Sequence, residues 1–265
     1  MKSKNIFKKS MSDKRSPIKA PPLRAAGESI DEEIHRIQSE EIGPYLGVIV
    51  FMFVIAVLEW WKWFKDLPPK PIFTSIVSGI FIAYGITKII SFRKDIRKLK
   101  LGREGEKAVG EYLDRLREKG YRVFHDIVGG DFNIDHVLVG QTGIYTIETK
   151  THSKPLKGNP HINYDGEKVM IGNYEPGRNP ISQAKAQASW IKELIVDLTG
   201  KNIKVQPVVL YPGWFVNKMP KGATVWVLNP KALPDFLENE NIILDKNEIP
   251  SVASHLSRYV RNLQR

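Results

Sequence analysis

The stretch Gly143–Lys150, GIYTIETK, reads as a β-strand that ends in an acid and a base two residues apart. Side chains two apart on a strand share a face, so Ile144, Thr146, Glu148 and Lys150 point one way, and Tyr145, Ile147 and Thr149 the other. A carboxylate and an ammonium therefore leave the strand together. The run before it, NIDHVLVG, sets Asp135 in an otherwise apolar segment. Burying a lone carboxylate costs roughly several kcal/mol unless a cation or donors compensate it. If the two strands pair, Asp135 and Glu148 can converge on one divalent ion. Mg²⁺ suits such a site because it takes hard oxygen ligands and needs only one or two carboxylates, and Mn²⁺ would be bound alike. Taken singly, a surface Glu148–Lys150 pair and a turn-capping Asp135 explain the same residues.

Outward from this pair the pattern is mixed α and β. GREGEKAVGEYLDRLREKG predicts a helix with Ala108, Val109, Tyr112, Leu113 and Leu116 on its apolar face, stopped by Gly120. YRVFHDI is a first strand, and INYDGEKVMI a hairpin turning at Asp165-Gly166. A second helix runs from Asn179-Pro180 to about Thr199, where Gly200 ends it. A strand in IKVQPVVLY, a shorter one in ATVWVL, and helices near Pro230–Glu240 and Glu248–Leu263 complete the chain. The order is helix, three strands, helix, strand. His136 alternates away from Asp135 and reads as sheet packing, and Trp190 reads as core. His125, His152 and His161 lack metal-ligand spacing.

The first third of the chain differs in kind. Residues 1–27 form a basic tail with the composition of a disordered segment lying near anionic lipid; its first 24 residues hold eight Lys/Arg against one acid. Residues 28–41 predict an amphipathic helix, with a Ser29/Glu32 capping box and Ile30, Ile34 and Ile37 on one face. Residues 42–92 carry two apolar runs, at about 45–64 and 71–92, each long enough at ~1.5 Å per residue to cross a ~30 Å hydrocarbon core. Trp60, Trp61 and Trp63 stand at one end like an interfacial belt. KDLPPK allows only a tight turn between the runs. Arg93, Lys94, Arg97, Lys98 and Lys100 crowd the exit, against Lys65 and Lys70 in the turn. The expectation is a two-helix transmembrane hairpin in the cell membrane, with both termini and the folded domain cytoplasmic.

The net charge of +11 favours polyanionic partners, either nucleic acid or an anionic membrane surface. The absence of cysteine excludes disulfides, thiolate zinc sites and cysteine nucleophiles.

Three segments together, GREGE at 102–106, IDHVLVGQTGIYTIETK at 134–150 and GRNPISQA at 177–184, resemble the nuclease-related domain, NERD. That family lies in the PD-(D/E)xK, restriction-endonuclease-like superfamily. The resemblance covers residues 101–212 and leaves 213–265 as a C-terminal strand and helical extension. It implies an α/β fold with an αβββαβ core, preceded here by the hairpin. It also implies that Asp135 and Glu148 bind metal with the backbone carbonyl of Thr149 as a further ligand, and that Lys150 is the catalytic lysine. Glu106 matches an additional acid of the first helix, and Gln183 a glutamine that approaches the site. The function implied is Mg²⁺-dependent hydrolysis of DNA or RNA at the membrane. The alternative is an inactive nucleic-acid-binding or scaffolding module.

Overall fold

The computed structural model describes residues 22–263 apart from 66, 68, 69, 131 and 155–160. Most of the basic tail lies outside the described residues, as do Asp66, Pro68 and Pro69 of the expected turn. Helix α1, Glu28–Arg36, passes through a π-helical stretch, Ile37–Ile42, into α2, Gly43–Phe64. The amphipathic helix and the first apolar helix are therefore continuous. Helix α3, Pro71–Asp114, is longer still and spans about 66 Å at 1.5 Å per residue. The break expected between residues 92 and 102 is absent. IRKLKLGREGE lacks proline and is rich in Lys, Arg, Leu and Glu, good helix formers that carry the helix through Gly102.

The Ser29/Glu32 capping box does not form. The residue preceding α1 is Gly27, in the left-handed region, and no side chain caps the helix. Ser29 instead serves a distant partner. Its backbone N–H and its hydroxyl donate to Asp126 Oδ2 and Oδ1 at 2.7 and 2.6 Å, and Arg24 Nε donates to Oδ2 at 2.7 Å. The expected apolar stripe of α1 is present, with Ile34 and Ile37 buried against Ile96 of α3 and Ile30 packed at their edge.

Beyond α3, a 3₁₀ turn leads into an antiparallel meander of β1 (Arg122–Val128), β2 (Asn133–Gly140) and β3 (Gly143–Thr149). The hairpin β4 (His161–Tyr164) and β5 (Val169–Ile171) precedes α4 (Pro180–Thr199). Strand β6 (Val205–Leu210) returns parallel to β3, a pairing that requires a crossover such as α4 provides. The chain continues through β7 (Phe215–Val216), β8 (Trp226–Leu228), α5 (Leu233–Glu238) and α6 (Glu248–Leu263). The main sheet has the order β1-β2-β3-β6-β8, and a small one the order β5-β4-β7.

Alternation along the strands builds two cores. Val137, Val139 and Ile144 face Ile191 and Ile195 of α4 and Val252 and Leu256 of α6. Leu138, Tyr145 and Ile147 face Val109 and Leu113 of α3 and Leu233 and Leu237 of α5. The result is a three-layer α/β/α domain, with β3 central and buried along its whole length. The two apolar helices stand apart from it. No residue of α2 is buried, and Phe51 and Trp61 are each 62% exposed. By length and composition both α2 and the first half of α3 could cross a membrane.

Asp126 is 2% exposed and is held by Arg24 and Ser29, which precede the apolar hairpin. Arg24→Ala removes its charge partner while the two Ser29 donors remain. We expect a loss of about 2–4 kcal/mol in denaturant unfolding of the full chain, partly recovered when Asp126→Ala is added. A loss below about 0.5 kcal/mol would mean that the pair contributes nothing beyond a surface bridge.

Candidate active site

The site forms where β2, β3, α3 and α4 meet. Strand β3 delivers Glu148 and Lys150 at its C-terminal end. The β2–β3 ladder pairs His136 with Ile147, so one further step sets Asp135 opposite Glu148. That step is not a ladder pair, because Asp135 Oδ2 accepts the Thr149 N–H at 2.6 Å. The β1–β2 ladder is interrupted at the same level. It joins His125 to His136 and Ile127 to Ile134 but skips Asp126 opposite Asp135. Asp126 has φ +49°, a conformation that Asp tolerates better than most residues.

Helix α4 closes one side. Asn179 caps it by accepting from the Ile181 N–H at 2.9 Å, and Pro180 occupies the first turn, where its missing N–H costs nothing. Gln183 and Gln187 are four residues apart and share the face turned to β3. Lys150 Nζ donates to Glu148 Oε1 at 2.6 Å and to Gln183 Oε1 at 3.0 Å. Gln187 Nε2 donates to Glu148 Oε2 at 2.6 Å and to the Asn133 carbonyl at 3.0 Å. The Glu148–Lys150 pair is thus no surface bridge, since Glu148 is only 3% exposed.

Helix α3 closes the other side through Gly105. A Cβ there would lie 1.7 Å from Thr151 Oγ1 and 2.8 Å from Thr151 Cβ, so only glycine lets the helix backbone seat against the segment leaving β3. Glu106 follows directly and joins the electrostatics of the site. Burial pushes its carboxyl up to about 8, helped by Asp126 and Glu148 and opposed by Lys150. Asp135 is raised well above the usual carboxylate range by burial, then by Glu148 and Glu106, while the Thr149 N–H and Lys150 pull it down. By surface area Asp135 and Glu106 are only partly buried. The dense protein around their carboxyls nevertheless dominates their acidity.

Glu106, Asp135, Glu148, Lys150 and Gln183 are therefore brought into one neighbourhood, with Thr149 at its base. Among the described residues, no three His, Asp or Glu side chains converge as a ready-made metal cage. Both oxygens of Glu148 are engaged, so a cation would take Oε1 from Lys150. The donor set still fits a hard divalent cation. It includes the carboxyls of Glu106 and Asp135, whose burial disfavours their own charge, and a divalent cation would offset that cost. Gln187 Oε1, Thr151 Oγ1 and the Tyr211 hydroxyl nearby are buried without hydrogen-bond partners. Gln187 and Asp126 are the residues that sequence reasoning missed. Gln187 was discoverable as the residue one turn beyond Gln183, and Asp126 as a second acid inside an apolar strand. His136 is fully buried against His125, as its alternation implied, and Trp190 packs against the core.

The raised Glu106 carboxyl carries a stability consequence. Below its ordinary value of 4.5 it is protonated in both folded and unfolded chains, so folding incurs no penalty. Between 4.5 and about 8 the unfolded chain releases the proton first, so stability falls as pH rises through that window. In chelator, Glu106→Gln is expected to stabilise the full chain by roughly 2–4 kcal/mol at pH 8.5 and by little at pH 4.5. Equal melting of variant and wild type at both pH values would contradict the assignment.

Residues 101–212 match the family model described as nuclease-related domain, NERD, and this segment of the chain is a nuclease-related domain. A Bacillus anthracis protein described as uncharacterized is 34% identical over 71 residues, which is 25% of this chain and 33% of that protein. The chain thus spans about a third of that relative's length. The solved structure of Pyrococcus furiosus SfsA in complex with Ca²⁺ is 19% identical and covers 46% of this chain and 52% of that one, with a TM-score of 0.24. A superposition that loose fixes no residue of the site.

Proposed function

We infer that the chain is a membrane-anchored phosphodiesterase that hydrolyses DNA or RNA, using Mg²⁺ or Mn²⁺, at the cytoplasmic face. The observation that carries this reading is the pairing of Lys150 with the buried Glu148 beside Asp135, with Glu106 close enough to perturb the acidity of the group. Asp135 and Glu148 would hold the cation, with the Thr149 carbonyl as a further ligand. Once bound, the cation would lower the pKa of a coordinated water and polarise a phosphoryl oxygen. Lys150 would lend positive charge to the phosphate as its negative charge grows. Gln183 positions Lys150, and Gln187 fixes Glu148. Glu106, protonated over much of the neutral range, is suited to orient water or to join the ligands after losing its proton.

Two exposed apolar helices and the cluster of Arg93, Lys94, Arg97, Lys98 and Lys100 support the anchoring and its orientation. The full chain, purified in detergent, should cleave DNA or RNA with Mg²⁺ and stop in chelator. A second reading, a non-hydrolytic nucleic-acid-binding module, is favoured by the engagement of both Glu148 oxygens. Salt-sensitive binding without cleavage under any divalent ion would select it.

A further inference from the structure

Between α2 and the middle of α3 runs a groove of about 890 Å³. Ile42, Leu46 and Ile49 line one wall, and Ile86 and Ile90 the other. Its far end changes character within two turns. Arg93, Arg97 and Lys100 border it at spacings of four and three, so they form one stripe on α3 about 10 Å long. All three are exposed, and none is paired with a carboxylate among the described residues. Of the nearby acids, Glu40 and Glu104 pair with no cation among the described residues, and the others are occupied. Glu33 and Glu41 pair with Arg36, Asp95 with Lys98, and Asp31 with Arg103 and Lys107. No acid lines the groove.

We propose that this groove binds one anionic diacyl phospholipid, its acyl chain against the isoleucine walls and its phosphate on Arg93, Arg97 and Lys100. The inference rests on the membrane-anchored reading, which sets Arg93 at the end of the apolar run and hence at headgroup level. Charge complementarity selects the ligand. A zwitterionic lipid fills the apolar walls equally well but brings no net charge to three cations unpaired among the described residues. A bound lipid of this kind would wedge α2 against the middle of α3, the helix that further on carries Glu106.

The test uses the full chain in detergent micelles, with native mass spectrometry counting retained phosphatidylglycerol or phosphatidylcholine of identical acyl chains. Wild type should retain one phosphatidylglycerol at least about tenfold better than phosphatidylcholine, and R93Q/R97Q/K100Q should lose that preference. The conservative R93K/R97K/K100R should keep it. Excess glycerol 3-phosphate should not displace the lipid; displacement would show that only phosphate is read and would overturn the lipid assignment. Equal retention of both lipids by wild type, or an unchanged preference in the glutamine variant, would also overturn it. Alkaline carbonate extraction of cell membranes provides the separate arm. Protein released to the supernatant defeats the anchoring itself and this proposal with it, whereas protein retained without lipid preference defeats the groove alone.

Discussion

Lys150→Ala is expected to lower divalent-dependent cleavage by about 10²–10³-fold, the usual cost of deleting a positioned charge or donor that acts on the developing oxyanion. The side chain lies between Glu148 and Gln183, so its ammonium is held by two fixed acceptors. Among the described residues it is also the only cation that opposes the mutual repulsion of Glu106 and Asp135. On the proposed mechanism its loss would act twice, on the reacting phosphate and on the affinity of Glu106 and Asp135 for protons. Asp135→Asn separates these effects. The amide oxygen can still accept the Thr149 N–H, so β3 keeps its end while one charge proposed to hold the cation is gone. Both variants should fold, as judged by circular dichroism, and both should fail in a single-turnover assay. Equal residual cleavage in the two would point to a contaminating nuclease, and cleavage within about threefold of wild type would remove Lys150 from the chemistry.

Gly105→Ala should rank next. The added methyl meets Thr151 at distances no real Cβ contact shows, and the obstacle is the short, β-branched side chain of a residue one step past Lys150. The helix must move away or the segment after β3 must shift. Overpacking of this kind costs about 1–3 kcal/mol and often more when backbone must move. It also carries Glu106 away from Asp135, so cleavage should fall further than stability alone explains. Adding Thr151→Gly clears the space and should restore much of the lost stability, giving a coupling of about 1–2 kcal/mol in a double-mutant cycle from denaturant midpoints. Strictly additive effects would show that the close approach is not what Gly105 provides.

The domain itself was legible because its signals are local. Alternation in GIYTIETK separated Ile144 from Tyr145, and the two residues indeed serve different cores. Asn179-Pro180 and Gly200 marked both ends of α4, where an Asx cap, a first-turn proline and a left-handed glycine do the work. The failures share a cause, which is a decision made by residues far away in sequence. Ser29 reads as a helix cap until Asp126, 97 positions on, claims both its donors. The helix was divided at residues 92–102 because a change from apolar to charged composition resembles a boundary, yet charged residues are good helix formers. Strand β7, two residues long, is too short for any periodicity to register.

The unbroken α3 joins the apolar hairpin to the candidate site. Glu106 stands fourteen residues beyond Phe92, about 21 Å along one continuous helix from the end of the apolar run. Arg24 and Ser29, from before the hairpin, lock onto the same domain through Asp126. A fragment that starts at Gly102 would leave Asp126 buried without these partners, so the full chain is the proper object for functional work.

The most direct test is a titration of Mn²⁺ into the full chain at pH 8, followed by paramagnetic resonance of the free ion. Wild type should bind the ion, and Asp135→Asn and Glu148→Gln should each weaken binding at least about 100-fold. Unchanged Mn²⁺ binding in the Asp135→Asn/Glu148→Gln double variant would mean that these two strand ends do not share a cation.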